Sequence, residues 1–222
     1  MSETAPAPVG RPRDPEVDER ILAAAIDVYG EAGWTGFSFD AVSRRSGVGK
    51  ASIYLRWESK EDLLEAALRD RVGAIDSIDT GNMRDDMIQL ARHLLDTYLG
   101  DAGRAMMRLS VEAPSAPSID LVFRQWRESQ VKAARAIVGR GIARGDSTPD
   151  MSVTMLLDTL CGGAINHGMM TPPQLREQVR QRSADYAARL TDFILRPVVT
   201  RNEGQTVADE ELPSRLAEGS RQ

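Results

Sequence analysis

The chain has 222 residues, a formal net charge of −5 and 41% hydrophobic residues, which is ordinary for a globular protein of one large or two modest domains. No apolar run approaches the roughly 20 residues that cross a bilayer, and the amino terminus lacks the apolar core of a secretory signal. The single cysteine, Cys161, excludes an internal disulfide framework, so we expect a cytoplasmic protein without a membrane partner.

The first predicted elements are a disordered arm and an amphipathic helix. Residues 1–15 are rich in proline, which predicts the disordered arm. Asp14 is placed to cap the helix, with Pro15 at its first position. Apolar residues then recur at helical spacing at Ile21, Ala24, Ala25, Val28 and Tyr29. Gly33 is predicted to end this helix.

Residues 38–64 carry the most informative pattern, in which two short helices flank a Gly-Val turn and a third helix follows. Ser38 is placed to cap the first of these helices, and Gly47 is placed to end it in a left-handed conformation. The next helix is predicted over residues 50–57, where apolar residues four positions apart give it one buried side. This order of elements is typical of a helix-turn-helix.

The motif is basic although the whole chain is acidic. Residues 44–60 hold five arginines and lysines against one glutamate, a net charge of +4. A basic island on an acidic chain indicates nucleic-acid binding. The alternative is a pair of ordinary surface helices in an α-helical protein, and the local charge favours the DNA-binding interpretation.

After the motif the sequence predicts only helices, so the expected fold is all-α. Ser59 is placed to cap a fourth helix that continues to about residue 75, and residues 76–82 interrupt the pattern. Residues 200–222 are polar and without periodicity, which predicts a disordered tail. Further helices are predicted over residues 83–99, 101–113, 117–144, 151–170 and 174–195.

From about Val17 to Leu64 the sequence resembles the TetR family of bacterial transcriptional repressors. The resemblance rests on the run ILAAAIDVYGEAGWTGFSFDAVSRRSGV, the IY pair at residues 53–54, Trp57 and the closing SKEDLL. It implies an N-terminal three-helix helix-turn-helix DNA-binding domain and a larger C-terminal helical domain for ligand binding and dimerisation. The corresponding segments are an arm over 1–15, the DNA-binding domain over 16–59, a linking helix over 60–76, the C-terminal domain over 77–199 and a tail over 200–222.

By position, the resemblance implies that the second helix of the motif enters the major groove of a double-stranded DNA operator. Gly49 departs from the family pattern, because members commonly carry serine or threonine there, and a hydroxyl contact to phosphate is lost. Arg11 and Arg13 of the arm either reach the DNA or belong to a solvated tail. The residues expected to contact DNA are Ser38, Arg45, Gly49, Lys50, Ala51, Ser52, Tyr54, Leu55, Arg56 and Lys60.

Two apolar stripes near the carboxyl end raise the question of dimerisation. In the last predicted helix, Val179, Ser183, Tyr186, Leu190 and Phe193 recur at alternating intervals of four and three, a heptad-like seam. The pattern leaves open whether the stripes face the monomer's own core or a second chain. The resemblance implies a homodimer whose four-helix interface holds Leu156, Leu160, Ala164, Val179, Tyr186, Leu190 and Phe193.

The C-terminal domain is rich in methionine, which is typical both of adaptable binding sites and of plain core. The resemblance implies that this domain binds a small-molecule inducer, and the composition favours an apolar or amphipathic one. The candidate ligand contacts are Met87, His93, Met106, Phe123, Trp126, Arg127, Asn166, His167 and Met170.

An enzyme is not expected. Cys161 and His167 lie roughly 240° apart around a predicted helix, and no third group would orient a base. The sequence has no phosphate-binding loop and no metal-ligand spacing, so we expect neither a cofactor nor a metal. The expected function is a homodimeric, ligand-responsive repressor of a palindromic operator. The alternative is a ligand-independent DNA-binding or helical scaffold protein.

Overall fold

The structure is a computed structural model that describes residues 14–147 and 151–196. In these ranges the chain forms helices and turns without a strand, so the predicted all-α fold is confirmed. The tail over 200–222, Arg11, Arg13 and most of the predicted arm lie outside the described residues. The helices are α1 (Pro15–Gly36), α2 (Phe39–Ser46), α3 (Lys50–Tyr54), α4 (Lys60–Val72), α5 (Met83–Leu99), α6 (Ala102–Glu112), α7 (Pro117–Arg144), α8 (Val153–Met170), α9 (Arg176–Gln181) and α10 (Ser183–Leu195).

The first helix follows the sequence closely at its start and differs at its end. Asp14 accepts a hydrogen bond from the backbone N–H of Glu16 at 3.1 Å, as expected of an N-cap. Gly33 takes a positive φ of +66°, which breaks the regular helix at the predicted place. One further turn then continues to Gly36, so the chain bends at Gly33 instead of stopping there.

The buried side chains form two clusters that meet in the middle of the molecule. The head-side core joins α1–α4 to α6 and includes Ile21, Ile53 and Leu109. The base core joins α5 to α7, α8 and α10 and includes Leu90 and Leu160. We call α1–α4 the head. Because α6 shares a core with the head, the helix-turn-helix and the C-terminal helices are packed together and are not separated by a bare linker.

A buried carboxylate fixes the segment that follows α4. Asp86 is fully buried and accepts hydrogen bonds from the N–H and the hydroxyl of Thr80, at 2.6 and 2.7 Å, and from Arg144 at 2.7 Å. Burial alone would raise the pKa of Asp86, but these hydrogen bonds outweigh it and hold the pKa below its usual value. The segment after α4 is thereby tied to α5 and to the end of α7.

The prediction of one continuous helix over 174–195 is wrong. The chain forms a 3₁₀ turn over Pro173–Leu175, then α9, and it turns at Arg182 before α10 begins. Arg180 donates a hydrogen bond to the carbonyl oxygen of Leu99 at 3.0 Å, which anchors α9 to the end of α5. Residues of α10, by contrast, pack with α5 inside the base core, where Ala187 is buried.

Candidate DNA-binding surface and ligand cavity

The turn between α2 and α3 is built by local hydrogen bonds that the sequence specifies. Ser38 Oγ accepts from the N–H of Ala41 at 3.2 Å and caps α2. Gly47 takes a φ of +68° and ends that helix in the left-handed region. Ser43 Oγ donates to the carbonyl oxygen of Val48 at 2.7 Å and closes the turn. These contacts fix the angle at which α3 leaves α2.

We call α3 the recognition helix, since it is the helix expected to enter the major groove. Its regular part is shorter than predicted and ends at Tyr54. The N–H groups of Leu55 and Trp57 still bond to the carbonyl oxygens of Ala51 and Ile53, so the chain keeps its helical path past the end. Ile53 is fully buried and anchors the helix in the head-side core. The outer surface presents Gly49, Lys50, Ala51, Tyr54 and Leu55, which are exposed, with Ser52 half-buried.

Two of the predicted DNA-contacting cations are paired within the head. Lys50 Nζ lies 2.6 Å from Asp40 at an exposed position. Arg45 lies 3.3 Å from Asp27 of α1 and also bonds to Glu31. Exposed pairs contribute little to stability and are readily exchanged, so both cations remain available to phosphate.

Arg56 is placed differently from the other predicted contacts. Its guanidinium bonds to Asp18 of α1 and donates to the carbonyl oxygen of Ser52 at 2.9 Å. Only 15% of the Arg56 side chain is exposed, so this arginine is part of the packing between α3 and α1. The expectation that Arg56 projects from the recognition helix is corrected, because the acidic partner on α1 draws it inward.

Arg44 is a candidate contact that the sequence interpretation omitted. It is exposed on α2, and within the described ranges no carboxylate lies within ion-pair distance of it. Adjacent helical residues point roughly 100° apart, so only one of the pair Arg44–Arg45 can face α1. Asp27 and Glu31, four apart on α1, were the signal that identifies Arg45 as the arginine that faces α1.

Lys60 closes the end of α1. Its Nζ donates to the carbonyl oxygens of Trp34 and Phe37, at 3.2 and 3.4 Å, and lies 3.7 Å from the centre of the Trp34 ring. A cation in the first turn of a helix is unfavourable for the helix dipole. The sequence analysis expects Lys60 to contact DNA, and in the free protein the end of α1 supplies its partners.

A cavity of about 320 Å³ lies among α5, α6, α7 and α8, next to the end of α4. Its lining comes from both cores, with Met106 from the head-side core and Leu90 and Leu157 from the base core. Most of the wall is apolar, and its size falls in the range of small-molecule sites. The cavity therefore occupies the seam where the two cores meet.

Five of the nine predicted ligand contacts line this cavity, namely His93, Met106, Phe123, Trp126 and Arg127. The other four were chosen by residue type and are corrected here, because their helix faces point elsewhere. Met87 is fully buried in the base core, and Met170 is exposed at the end of α8. His167 stacks on Tyr186 at a centroid distance of 3.9 Å, and Asn166 lies on the exposed side of α8.

Sequence reasoning missed several polar residues of the cavity wall, and some of them lie one helical turn from residues that it found. Thr97 and Tyr98 lie about one turn after His93 on α5, and Gln130 lies one turn after Trp126 on α7. Counting positions from His93 and Trp126 would have found them. The additional polar or ionisable lining residues are Thr97, Tyr98, Ser110, Gln130, Arg135, Thr154, Asp158 and Cys161.

Two nitrogen atoms in the cavity wall lack a hydrogen-bond partner among the described residues. Nε2 of His93 and Nε1 of Trp126 are buried and make no hydrogen bond to any residue that the structure describes. Burial lowers the pKa of His93 below its usual value, which keeps the imidazole neutral near pH 7. An unsatisfied buried polar group is costly, so a ligand that bonds to either atom gains affinity.

Helix α6 connects the cavity to the head through two charged residues. Glu112 accepts hydrogen bonds from the N–H of Trp34 at 2.9 Å and from the Tyr29 hydroxyl at 3.3 Å. Arg108 donates to the carbonyl oxygen of Gly30 at 2.9 Å and to Glu112 at 3.1 Å. We call these contacts of Arg108 and Glu112 with α1 the α1–α6 clamp. Another face of the same helix lines the cavity through Met106.

Comparison with known proteins identifies the family to which this chain belongs. The family profile described as "Bacterial regulatory proteins, tetR family" matches residues 21–67. The profile described as "Tetracyclin repressor-like, C-terminal domain" matches residues 77–212. The chain belongs to the TetR family.

Named relatives agree with this TetR-family assignment. The chain is 34% identical to the HTH-type transcriptional regulator AqdR of Rhodococcus erythropolis over 62% of this chain and 68% of that protein. It is 29% identical to the DNA-binding transcriptional repressor TetR of Mycobacteroides abscessus, over 62% and 74% of the two chains. The fold is similar to that of Bacillus subtilis FadR, solved in complex with stearoyl-CoA, with a TM-score of 0.58, 14% identity and coverage of 82% and 99%.

This TetR-family protein is a DNA-binding transcriptional regulator and not an enzyme, as its family and its relatives show. The resemblance over residues 17–64 is confirmed and now extends through the C-terminal domain. Among the residues described, no helix is long and apolar enough to cross a membrane.

The exposed faces of α8 and α10 in this TetR-family regulator differ from the predicted dimer surface. Leu156, Leu160 and Ala164 are buried in the base core, and a side chain already buried in its own protomer cannot bury surface against a partner. These three assignments to the interface are therefore corrected. Along one stripe α8 exposes Met155, Thr159, Gly162, Asn166 and Met170, which recur at helical intervals.

The predicted seam after α8 is divided between two helices. Val179 lies on α9 and packs on the base core, and Leu190 packs against Gly163 of its own chain. Tyr186 is half-buried by its stacking on His167. Phe193 is 74% exposed on α10 and, of the seven predicted interface residues, presents the most apolar surface.

Proposed function

We propose that this protein is a homodimeric repressor that binds a palindromic operator and is released from it by a small apolar or amphipathic ligand. The observation that carries the proposal is the position of the cavity at the seam between the two cores. A ligand that enters this seam contacts α6, which holds α1 through the α1–α6 clamp, and Ile75 beside the end of α4. α4 directly follows the recognition helix α3 in the chain, and α1 contacts the end of α3 through the pair of Asp18 and Arg56.

The coupling requires that the ligand prefers the conformation that does not fit DNA, because equal binding to both states would change nothing. Met106 separates the cavity from the head-side core, so a ligand that displaces it moves α6 relative to α5. The head then follows through Gly30 and Trp34 of α1. Two heads that move apart no longer match successive turns of the operator, and affinity falls.

The character of the wall supports an amphipathic ligand. The interior is apolar, whereas Arg127, Arg135 and Asp158 are exposed lining residues at its mouth. The structurally similar FadR is bound to stearoyl-CoA, so this fold accommodates an amphipathic ligand. The cavity also favours ligand control over the alternative of a ligand-independent DNA-binding or scaffold protein, which needs no such space.

Dimerisation is supported by the unpartnered apolar surface of α8 and α10. Met155 and Met170 of α8 are each 70% exposed, and Phe193 extends the apolar surface on α10. Two copies of this face would form a four-helix bundle. A two-fold dimer presents two recognition helices to a palindrome, and the named repressor among the relatives supports repression as the output. The site of action is the cytoplasm, where the bacterial chromosome lies.

The DNA-binding part is tested by a salt-titrated anisotropy assay with the intergenic DNA beside the protein's own gene. Wild type should bind tightly at about 150 mM salt, and Lys50→Ala should weaken binding and reduce the salt slope by about one. Arg124→Ala removes a cation from α7, where it pairs with Asp120, and should leave binding unchanged. Weak binding by all three without sequence preference would contradict operator recognition.

The ligand-binding part is tested with the amphipathic fluorescent probe 8-anilino-1-naphthalenesulfonate. We expect saturable binding that the cavity-filling variant Ala134→Trp abolishes, since Ala134 lines the wall. Leu121→Trp, at an exposed position of α7, is the matched control and should keep the probe site. Probe binding that survives Ala134→Trp would place the ligand elsewhere.

A further inference from the structure

We infer that the recognition helix reads its operator mainly through apolar contact with thymine methyl groups, with Leu55 as the specificity-determining residue. The inference deepens the proposed operator recognition and rests on it. It begins with the exposure of Leu55, which is 80% exposed and directly follows Tyr54, the last residue of α3. Single exposed leucines are common on protein surfaces, so its position on the helix decides what the exposure means.

Helical geometry places Leu55 at the centre of the outward face. Ile53 is fully buried and defines the inward direction of α3. At 100° per residue, Ala51 and Leu55 both lie within about 20° of the direction opposite Ile53. Leu55 keeps a right-handed helical backbone, with φ −70° and ψ −14°, so this geometry applies to it. The face that enters the major groove most deeply is therefore apolar at its centre.

The cations of the helix lie at its sides. Lys50 and Arg56 are each within about 60° of the inward direction. Lys50 pairs with Asp40 at 2.6 Å, and Arg56 is held by Asp18 and by the carbonyl oxygen of Ser52. Arginine and lysine read guanine through hydrogen bonds to N7 and O6, so this placement leaves the centre of the helix without a guanine-reading group.

The groups around the apolar centre suit phosphate contact. Tyr54 is 55% exposed beside Leu55, and its ring is fixed by edge-on packing against Phe39 at a centroid distance of 4.7 Å. Arg44 is exposed on α2, and the segment over 44–60 is basic. Polar and cationic groups at the rim would bind the two DNA backbones and orient the helix, while Ala51 and Leu55 meet base edges. In the major groove the only apolar group on a base edge is the thymine methyl.

The test replaces thymine by uracil, which removes the methyl group and leaves base pairing intact. The operator is first located by footprinting wild-type protein on the intergenic DNA, and each thymine in both half-sites is then replaced in symmetric pairs. At the position that Leu55 contacts, wild type should lose about fourfold in affinity per methyl, or about fifteenfold for both half-sites. Leu55→Ala should bind thymine and uracil operators equally, whereas Leu55→Met should keep a preference for thymine.

Three outcomes distinguish a failure of this inference from a failure of the proposed operator recognition. Loss of the thymine preference in Leu55→Ala but not in the control Leu121→Ala supports Leu55 as the reader. Specific binding with no uracil effect, together with loss of affinity when guanine is replaced by 7-deazaguanine, overturns the inference and leaves operator recognition intact. No specific binding by wild type overturns operator recognition and the inference with it. Because Leu55 is exposed, its variants should keep the wild-type circular dichroism spectrum.

Discussion

Glu112 of α6 accepts a hydrogen bond from the backbone N–H of Trp34 at 2.9 Å, directly after the bend of α1 at Gly33. The bend frees backbone donors that a straight helix would use internally, and the carboxylate satisfies one of them. The positive φ at position 33 favours glycine, and a Cβ there would displace the Glu112 carboxylate and the Arg108 guanidinium from their present positions. The relation joins a cavity-lining helix to the helix that supports the DNA-binding motif.

Glu112→Gln should weaken this connection. The amide keeps the shape but removes the charge that faces Arg108, and we expect a loss of about 1–3 kcal/mol in the free energy of unfolding. The ligand-induced drop in operator affinity should shrink by roughly threefold or more. Chemical denaturation and operator binding with and without ligand measure the two effects. Asp120→Asn, which breaks an exposed pair with Arg124, is the control, and equal behaviour of the two variants would contradict the role of the clamp.

Gly49→Ser should strengthen DNA binding. Gly49 has φ −58°, caps α3 without a side-chain hydrogen bond, and has nothing within 4 Å of the place where a Cβ would lie. A serine therefore fits without strain, and its hydroxyl can cap the helix for a few tenths of a kcal/mol and also reach a phosphate. We expect tighter operator binding in an anisotropy titration. Gly49→Ala supplies the same backbone without the hydroxyl, and an equal gain in both variants would exclude the hydroxyl contact.

Phe193→Glu should convert the proposed dimer to a monomer. The phenyl ring is 74% exposed on α10, so a charge there leaves the protomer folded but would be buried without a partner in the interface. Light scattering after size exclusion should show the mass halved, and operator affinity should fall by more than about tenfold. Leu121→Glu, on the exposed surface of α7, should remain dimeric. A dimeric Phe193→Glu protein would place the interface on another face.

Cys161 offers a direct reporter of the cavity, because it lines the wall and is the one cysteine in the sequence. Burial, and then the charge of Asp158, raises the pKa of its thiol to about 11. Since the thiolate is the reacting form, alkylation by iodoacetamide at neutral pH should be roughly 100-fold slower than for an ordinary thiol. Mass spectrometry follows the reaction, and urea-unfolded protein should react at the ordinary rate. Equal rates in the folded and unfolded protein would show that the thiol is not buried.

The parts of the fold that sequence reasoning predicted are those set by short-range chemistry. Ser38 and Gly47 bound α2 because a hydroxyl acceptor and a glycine in the left-handed region act on neighbouring backbone groups. Ser59 caps α4 for the same reason, and in the structure Asp62 completes a capping box with it. Such signals need no knowledge of the rest of the molecule.

The parts that sequence reasoning missed depend on what a helix packs against. Leu156 and Leu160, which the resemblance implied as interface residues, are buried in the base core where α8 packs on α5, and that contact is not encoded in the spacing along α8. Arg56 carried the right charge for DNA, yet Asp18, far away in sequence, holds it. No glycine or proline in the sequence marks the break at Arg182. The break arises where α9 meets the end of α5.

The central claim is that occupation of the cavity lowers operator affinity. Its most direct test measures the binding of a small compound and the binding of the operator on the same protein. A compound that protects Cys161 from alkylation is first titrated against the protein, and operator binding is then measured at zero and saturating compound. The account predicts weaker operator binding by about 5- to 150-fold, and an equal weakening of compound binding when operator is saturating. A compound that protects Cys161 fully but leaves operator affinity unchanged would contradict it.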